Sequence, residues 1–221
     1  MSFPIRTLAP EEFPPLLHEI PDAPHTLNCR GTLPPPHLKL LAVVGSRNHT
    51  PYGKKVVAHL IGGLRGHPIG IVSGLALGID SLAHQAALAH NLYTVAVPGG
   101  GLDDSVLYPR SHLQLAKEIL AAKGGLLSEY EPQFAATSWS FPKRNRIVTG
   151  MSHATLLIEA SEKSGTLISA RLASDYNRDV LAVPGDIFSE NAHGVHQFLK
   201  LGATVVTSAE DILTALGIDS A

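Results

Sequence analysis

From Leu38 onward the chain repeats one pattern: a short apolar run rich in β-branched residues stops at small or polar residues, and a stretch with helical period follows. The runs are Leu40 to Val44 before Gly45-Ser46-Arg47, Ile69 to Val72 before Ser73-Gly74, and Tyr93 to Val97 before Pro98-Gly99-Gly100-Gly101. Leu126-Leu127 before Ser128-Glu129, Thr155 to Ile158 before Glu159-Ala160-Ser161, and Val180 to Val183 before Pro184-Gly185-Asp186 continue the series. Strands that are apolar without alternation are covered on both faces, as in a parallel sheet. Right-handed crossovers then bring the C-terminal ends of such strands to one edge, where the glycine-rich and polar loops converge on a crevice. The expected fold class is α/β: an extended Rossmann-like, largely parallel, doubly wound sheet with helices on both faces. One-sided apolar stripes at Val56-Val57-Leu60-Ile61-Leu64, Leu82-Ala83-Ala86-Ala87, Leu115-Ile119-Leu120 and Leu167-Ile168-Leu172 supply those helices. Ser208, followed by Ala209-Glu210-Asp211, caps a last helix through Leu213 and Leu216.

The first 33 residues differ. Prolines at positions 4, 10, 14, 15, 21 and 24 leave room for a turn or two of helix around Phe13 to Glu19. Residues 1–33 are therefore expected to form a proline-rich arm, 34–217 the Rossmann-like domain and 218–221 a tail, with Pro34-Pro35-Pro36 as a stiff spacer. A chain of 221 residues with 44% hydrophobic and 16% charged residues supports one sizeable core. No apolar run reaches the roughly 18 residues of a membrane span, and no secretory leader opens the sequence, so a cytoplasmic protein is expected. The single cysteine, Cys29, reads as a small structural residue.

A net charge of −2 supplies no attractive field for a polyanion, so such a ligand has to be held by a local patch. The one patch that stands out is Phe141-Pro142-Lys143-Arg144-Asn145-Arg146, with Trp139 two residues upstream. It offers aromatic faces beside guanidinium forks, which is what a site needs to stack a base and hold the adjoining phosphate. A solvated basic turn opening a helix would give the same composition. Two further anion holders fall at the same predicted edge. Gly45-Ser46-Arg47 follows the first strand, and Ser164-Gly165-Thr166 opens the helix that carries Arg171.

Dinucleotide and ATP chemistry are not written in these loops. Neither Gly45-Ser46-Arg47-Asn48-His49-Thr50 nor Gly74-Leu75-Ala76-Leu77-Gly78 matches G-x-G-x-x-G, and no P-loop is present. No cofactor is expected. The stretch from Pro98 to Gly101 is similar to the glycine loop of the phosphoribohydrolases acting on nucleoside monophosphates, but Leu102-Asp103-Asp104-Ser105 replaces their Thr and catalytic Glu. Asp80, Asp103, Glu129, Glu159 and Asp186 all stand near predicted strand ends, so a paired-acid site is physically possible. Asp80, early in its helix, is equally accounted for by the helix dipole. His193 and His196 share a helix face, without the convergent ligand set a zinc site needs, and no metal is expected.

The assembled motifs resemble the DNA-processing protein A family, also called Smf. They run in order through Val43-Val44-Gly45-Ser46-Arg47 with Tyr52-Gly53, Ser73 to Asp80 with Ala83-His84, and Gly101-Leu102-Asp103 with Tyr108-Pro109. Leu127-Ser128-Glu129, Phe141 to Ile147, Glu159-Ala160, Ser164-Gly165-Thr166, Val183-Pro184-Gly185 and Leu201-Gly202-Ala203 complete them. The residues present correspond to the family's Rossmann-like core. The resemblance implies a protein that binds single-stranded DNA and loads the RecA recombinase in natural transformation, acts as a homodimer, and performs no catalysis. It further implies that Gly45, Ser46 and Arg47 grip phosphate, that Lys143, Arg144, Asn145 and Arg146 line the groove with Ser164, Gly165 and Thr166, and that Phe141 is the stacking platform. Leu77 stands where the family usually carries arginine, which removes a cation, and Ser169-Ala170 replaces the usual Thr-Ala. The rival reading is a nucleotide-processing enzyme of the phosphoribohydrolase type in the same crevice, and a third is a scaffold kept for protein contacts.

Overall fold

A computed structural model of the chain describes residues 3–219. The first two residues of the expected arm and the last two of the expected tail lie outside them. Within this range the strands are β1 (Ile5–Thr7), β2 (Asn28–Gly31), β3 (Lys39–Val44), β4 (Ile69–Ser73), β5 (Tyr93–Ala96), β6 (Gly125–Ser128), β7 (Ala154–Leu157), β8 (Asp179–Ala182) and β9 (Thr204–Val205). They form one sheet in the order β1-β2-β6-β5-β4-β3-β7-β8-β9. From β6 to β9 every pairing is parallel, with Leu41 opposite both Ile71 and Ala154, while β1 and β2 add antiparallel edges.

The helices are α1 (Pro51–Gly63), α2 (Ile79–Ala89), α3 (Leu113–Ala121), α4 (Ser140–Gly150), α5 (Thr166–Asp175), α6 (Glu190–Lys200) and α7 (Ala209–Ala215). The central strand shows why two layers of helix are required. Its residues from Leu40 to Val44 are all buried, and the period-2 pleat sends them alternately to opposite faces. Leu41 and Val43 pack with Val57 and Ile61 of α1, Ile79 and Ala83 of α2 and Ile212 of α7. Leu40, Ala42 and Val44 pack with Ile147 of α4, Leu167 of α5 and Phe198 of α6. A third cluster seats α3, through Leu115 and Ile119, on Ala96 and Leu126. Among the described residues no helix is long and apolar enough to cross a membrane.

The proline-rich segment is built into this core. β1 and β2 extend the sheet, two short 3-10 turns (Pro10–Glu12 and Pro15–Glu19) lie between them, and Leu8, Phe13, Leu17, Ile20 and Leu27 are buried. Prolines start each turn and leave the ladder to Ile5–Thr7 and Asn28–Gly31, which suits edge pairing. This segment also anchors the loops of the sheet's C-terminal edge. Asn28 Nδ2 donates to the Tyr130 carbonyl at 2.9 Å, and Arg30 donates to the Leu102 carbonyl at 3.0 Å and pairs with Asp104. Cys29 is buried, and burial pushes its thiol up to about 11.

Ser208 caps α7 as its sequence suggests. Its Oγ accepts from the Asp211 N–H at 3.4 Å, and the Asp211 carboxylate accepts from the Ser208 N–H at 3.0 Å. Ser208→Ala is expected to cost about 1 kcal/mol, read from the urea midpoint; an unchanged midpoint would show that the cap contributes nothing.

Candidate nucleic-acid interface

The strand order fixes where loops can gather. From β3 the chain winds outward through β4, β5 and β6, then returns to β7 on the other side of β3 and winds through β8 to β9. The loops after β3 and β7 therefore leave in opposite directions and open a crevice at their carboxyl ends. A cavity of about 620 Å³ lies there.

The loop after β3 is clamped on both sides. The Ser46 carbonyl accepts from the Ile79 N–H at 3.1 Å. Asn191 Nδ2 donates to the Asn48 carbonyl at 3.0 Å, and the Thr50 N–H donates to Glu159 Oε2 at 2.9 Å. Gly78, at φ +80°, runs so close that a Cβ would stand 2.2 Å from the Ser46 carbonyl and 2.6 Å from that of Arg47. The backbone is thus fixed while Arg47 is left projecting. Its guanidinium carbon sits 5.2 Å from the centroid of the Phe141 ring, and among the described residues it makes no ion pair with a carboxylate. The Phe141 ring meets Tyr108, 53% exposed, at 5.7 Å and 54° on the far side of the crevice mouth. Arginine and aromatic groups therefore stand together, with the Phe141 ring seated on Gly99, a pairing that suits a phosphate beside a base.

The Phe141 to Arg146 cluster is not a turn. It forms the first turns of α4, and the helical period divides it. Phe141, Arg144 and Asn145 face the crevice with Gly45, Ser46, Arg47, Ser164, Gly165 and Thr166. Lys143 and Arg146 lie on the opposite side, against a second cavity, where both pair with Glu129 at 3.1 and 2.6 Å. The structure thus gathers nine of the eleven expected groove residues and sets these two apart, their charges already met by a carboxylate.

Arg144 stands in the crevice as a buttress. It is 4% exposed, donates to the Val97 carbonyl, and packs where Gly74 has no side chain; a Cβ on Gly74 would fall on its guanidinium. Asp80 shares this floor and accepts from the N–H groups of Gly74 at 3.1 Å and Ala76 at 3.3 Å. Burial raises the Asp80 pKa, and the Arg144 charge opposes that rise; burial likewise lowers the Arg144 pKa against the opposing pull of Asp80. Asp80 is therefore a loop-tying group more than a dipole partner. Its role, and those of Gly74 and Asn48 at the crevice, are not legible from helix position, since they depend on loops that meet only in the fold.

Across the crevice, Ser164, Gly165 and Thr166 at the N-terminus of α5 line the same cavity as Arg47. Ser164 Oγ accepts from the Thr166 N–H at 3.1 Å and donates to Thr166 Oγ1 at 2.9 Å, and the space beside Gly165 is open to 4 Å. The N–H groups of Ser164, Thr166, Leu167 and Ile168 already have acceptors within the turn, so this terminus favours an anion chiefly through its dipole.

The acids at the strand ends are engaged in holding loops. Glu159 binds Thr50, Asp103 accepts from the Ser105 N–H at 2.9 Å, Asp186 accepts from the Phe188 N–H at 2.9 Å, and Glu129 is paired with cations. His193 and His196 each direct Nε2 at a different carbonyl, of Ile187 at 3.2 Å and of Gly185 at 3.1 Å. Among the described residues no group of three or more His, Cys, Asp or Glu could hold a metal ion.

A family model described as DNA recombination-mediator protein A matches residues 5–217. The chain is 41% identical over 206 residues to Protein Smf of Escherichia coli, covering 93% of this chain and 54% of that protein, so it spans about half the relative's length. It is 40% identical over 211 residues to DNA processing protein DprA of Bacillus subtilis, covering 95% of this chain and 70% of that protein. Its fold superposes on the X-ray structure of DNA processing protein A from Streptococcus pneumoniae with a TM-score of 0.88 at 39% identity, over 96% of this chain and 74% of that one. It also matches DNA processing protein A from Helicobacter pylori, whose structure concerns its single-stranded DNA binding mode, with a TM-score of 0.84 at 31% identity, over 97% and 96% of the two chains.

Proposed function

Because the chain belongs to the DNA recombination-mediator protein A family, we propose that its crevice holds single-stranded DNA, without catalysis, and presents it to a RecA-type recombinase. The observation that carries this reading is the Arg47 guanidinium, in no ion pair among the described residues, set over Phe141 in the cavity that the N-terminus of α5 also lines. A phosphate is caught between Arg47 and the N-terminus of α5, where Gly165 is unencumbered, and the neighbouring base lies on Phe141, with Tyr108 extending the platform. Stacking needs an unpaired base face, so duplex DNA is excluded by chemistry that ignores sequence. The H. pylori relative's single-strand binding mode supports the same choice of ligand. RecA loading, a homodimeric state and a cytoplasmic location rest on family membership. The phosphoribohydrolase reading is disfavoured because the crevice acids are committed to loop hydrogen bonds.

Arg47→Ala is expected to weaken binding of an oligo-dT strand about tenfold and to lower the slope of log K against log salt by about one, as when a single phosphate contact is lost. Anisotropy titrations at several salt concentrations read both quantities. An unchanged slope would remove Arg47 from the phosphate site and with it this reading of the crevice.

A further inference from the structure

α4 and α5 separate two cavities that touch. Pro142 and Ile168 line both, so the crevice continues over an apolar saddle into a second cavity of about 540 Å³. That volume lies within the roughly 300–1,000 Å³ of small-ligand sites. Its walls include Ala23, Ile168 and Leu172, and Ile168 is 39% exposed. Its polar end is a four-charge network. Glu129 lies between Lys143 and Arg146, Asp22 Oδ2 is 3.7 Å from Arg146, and Asp22 Oδ1 accepts from the Tyr176 hydroxyl at 2.6 Å.

The two carboxylates and two cations cancel, so the cavity exerts little net pull on a phosphate. A neutral, flat ligand with a hydrogen-bonding edge suits it better: apolar walls on its faces and carboxylate acceptors at its rim. The network is also incomplete, since Glu129 Oε1 and Arg146 Nη1 are buried without a hydrogen-bond partner among the described residues. Asp22, half exposed, presents the accessible acceptor.

We propose that this second cavity receives a nucleobase from the strand held in the crevice, and selects bases carrying an exocyclic amino group, which can donate to Asp22. The proposal rests on the crevice binding single-stranded DNA. It places a base-selective pocket beside a sequence-tolerant one, so that a strand crossing the saddle is stacked on one side of α4 and read on the other. Cytosine and thymine separate the two effects, because both are single-ring bases and only cytosine carries the amino group, where thymine has a carbonyl oxygen and a C5 methyl.

The test compares labelled oligo-dC and oligo-dT strands of about twelve nucleotides by anisotropy against the full chain, Ala23→Trp, Asp22→Asn and Arg47→Ala. Ala23→Trp fills the second cavity and leaves the crevice untouched; Asp22→Asn removes the carboxylate with almost no change in shape. The parent is expected to bind oligo-dC about tenfold more tightly than oligo-dT, the advantage of a hydrogen bond to a charged acceptor. Ala23→Trp should lose that preference and Asp22→Asn, which keeps a neutral acceptor, should reduce it, both keeping oligo-dT affinity, whereas Arg47→Ala should weaken both strands and keep their ratio. Equal binding of the two strands by the parent, or a preference that survives Ala23→Trp undiminished, overturns the second pocket and leaves the crevice standing. No binding of either strand by the parent overturns both.

Discussion

Gly78→Ala is expected to lower the unfolding free energy by about 4 kcal/mol and to abolish single-strand binding in whatever fraction remains folded. Gly78 joins the loop after β4 to α2 at φ +80° and ψ −129°, a conformation that side chains other than hydrogen adopt at a cost of about 1–3 kcal/mol. The added methyl would also stand 2.2 Å from the Ser46 carbonyl and 2.6 Å from that of Arg47. Both obstacles are backbone, so no rotamer change relieves them, and overpacking of this kind costs a further 1–3 kcal/mol or so. The only escape is to push the loop after β3 outward, which carries Arg47 away from Phe141. Stability and binding are therefore lost together. Gly165→Ala makes the contrasting control, since no heavy atom lies within 4 Å of its would-be Cβ. Urea unfolding of the two variants reads the difference, and a Gly78→Ala protein within about 1 kcal/mol of the parent would contradict the clamp.

The second large effect concerns acid stability. His84 is fully buried on α2, and its Nδ1 lies 2.7 Å from Thr94 Oγ1. The Thr94 hydroxyl gives its own hydrogen to the Ile71 carbonyl at 3.1 Å, so Nδ1 carries the imidazole proton and Nε2, which has no partner among the described residues, is bare. Burial, followed by the His112 and Arg144 charges, pushes the His84 pKa down to about 3. In the unfolded chain the same group takes a proton near pH 6.5. Its folded pKa is depressed, so its contribution is present above pH 6.5 and is lost as pH falls from there to about 3. The total is on the order of 4–5 kcal/mol. His84→Asn keeps a donor toward Thr94 and cannot titrate, so its stability should fall less steeply with acid than that of the parent. Urea unfolding at pH 7, 6, 5 and 4 compares the two; parallel curves would show that His84 is not the group being titrated.

What could be read from sequence divides along physical lines. The strands from β3 to β8 are legible because parallel strands covered on both faces leave continuous apolar runs, and Leu40 to Val44 shows this most clearly. β1 and β2 leave no such trace. Arg6 and Thr7 lie in β1 and Asn28 and Arg30 in β2, among prolines; β1 pairs with β2, and the pairing of β2 with β6 is set about a hundred residues away along the chain. At the candidate site the conjunction of Ser46, Arg47, Phe141 and Ser164 to Thr166 follows from strand ends meeting at one edge. The helical period alone separates Lys143 and Arg146 from Phe141 and Asn145, so six residues consecutive in sequence divide between two faces of α4. The neutralisation of those cations by Glu129, and the burial of Arg144 over Gly74, depend on non-local contacts that no spacing reveals.

The most direct test of the crevice assignment is photocrosslinking of a single strand carrying 5-iodouracil, followed by mapping of the modified peptides. Crosslinks to Phe141 or Tyr108 that unlabelled single strand competes away, and duplex does not, are the expected result. Specific crosslinks confined to peptides that contribute no residue to the crevice would contradict it.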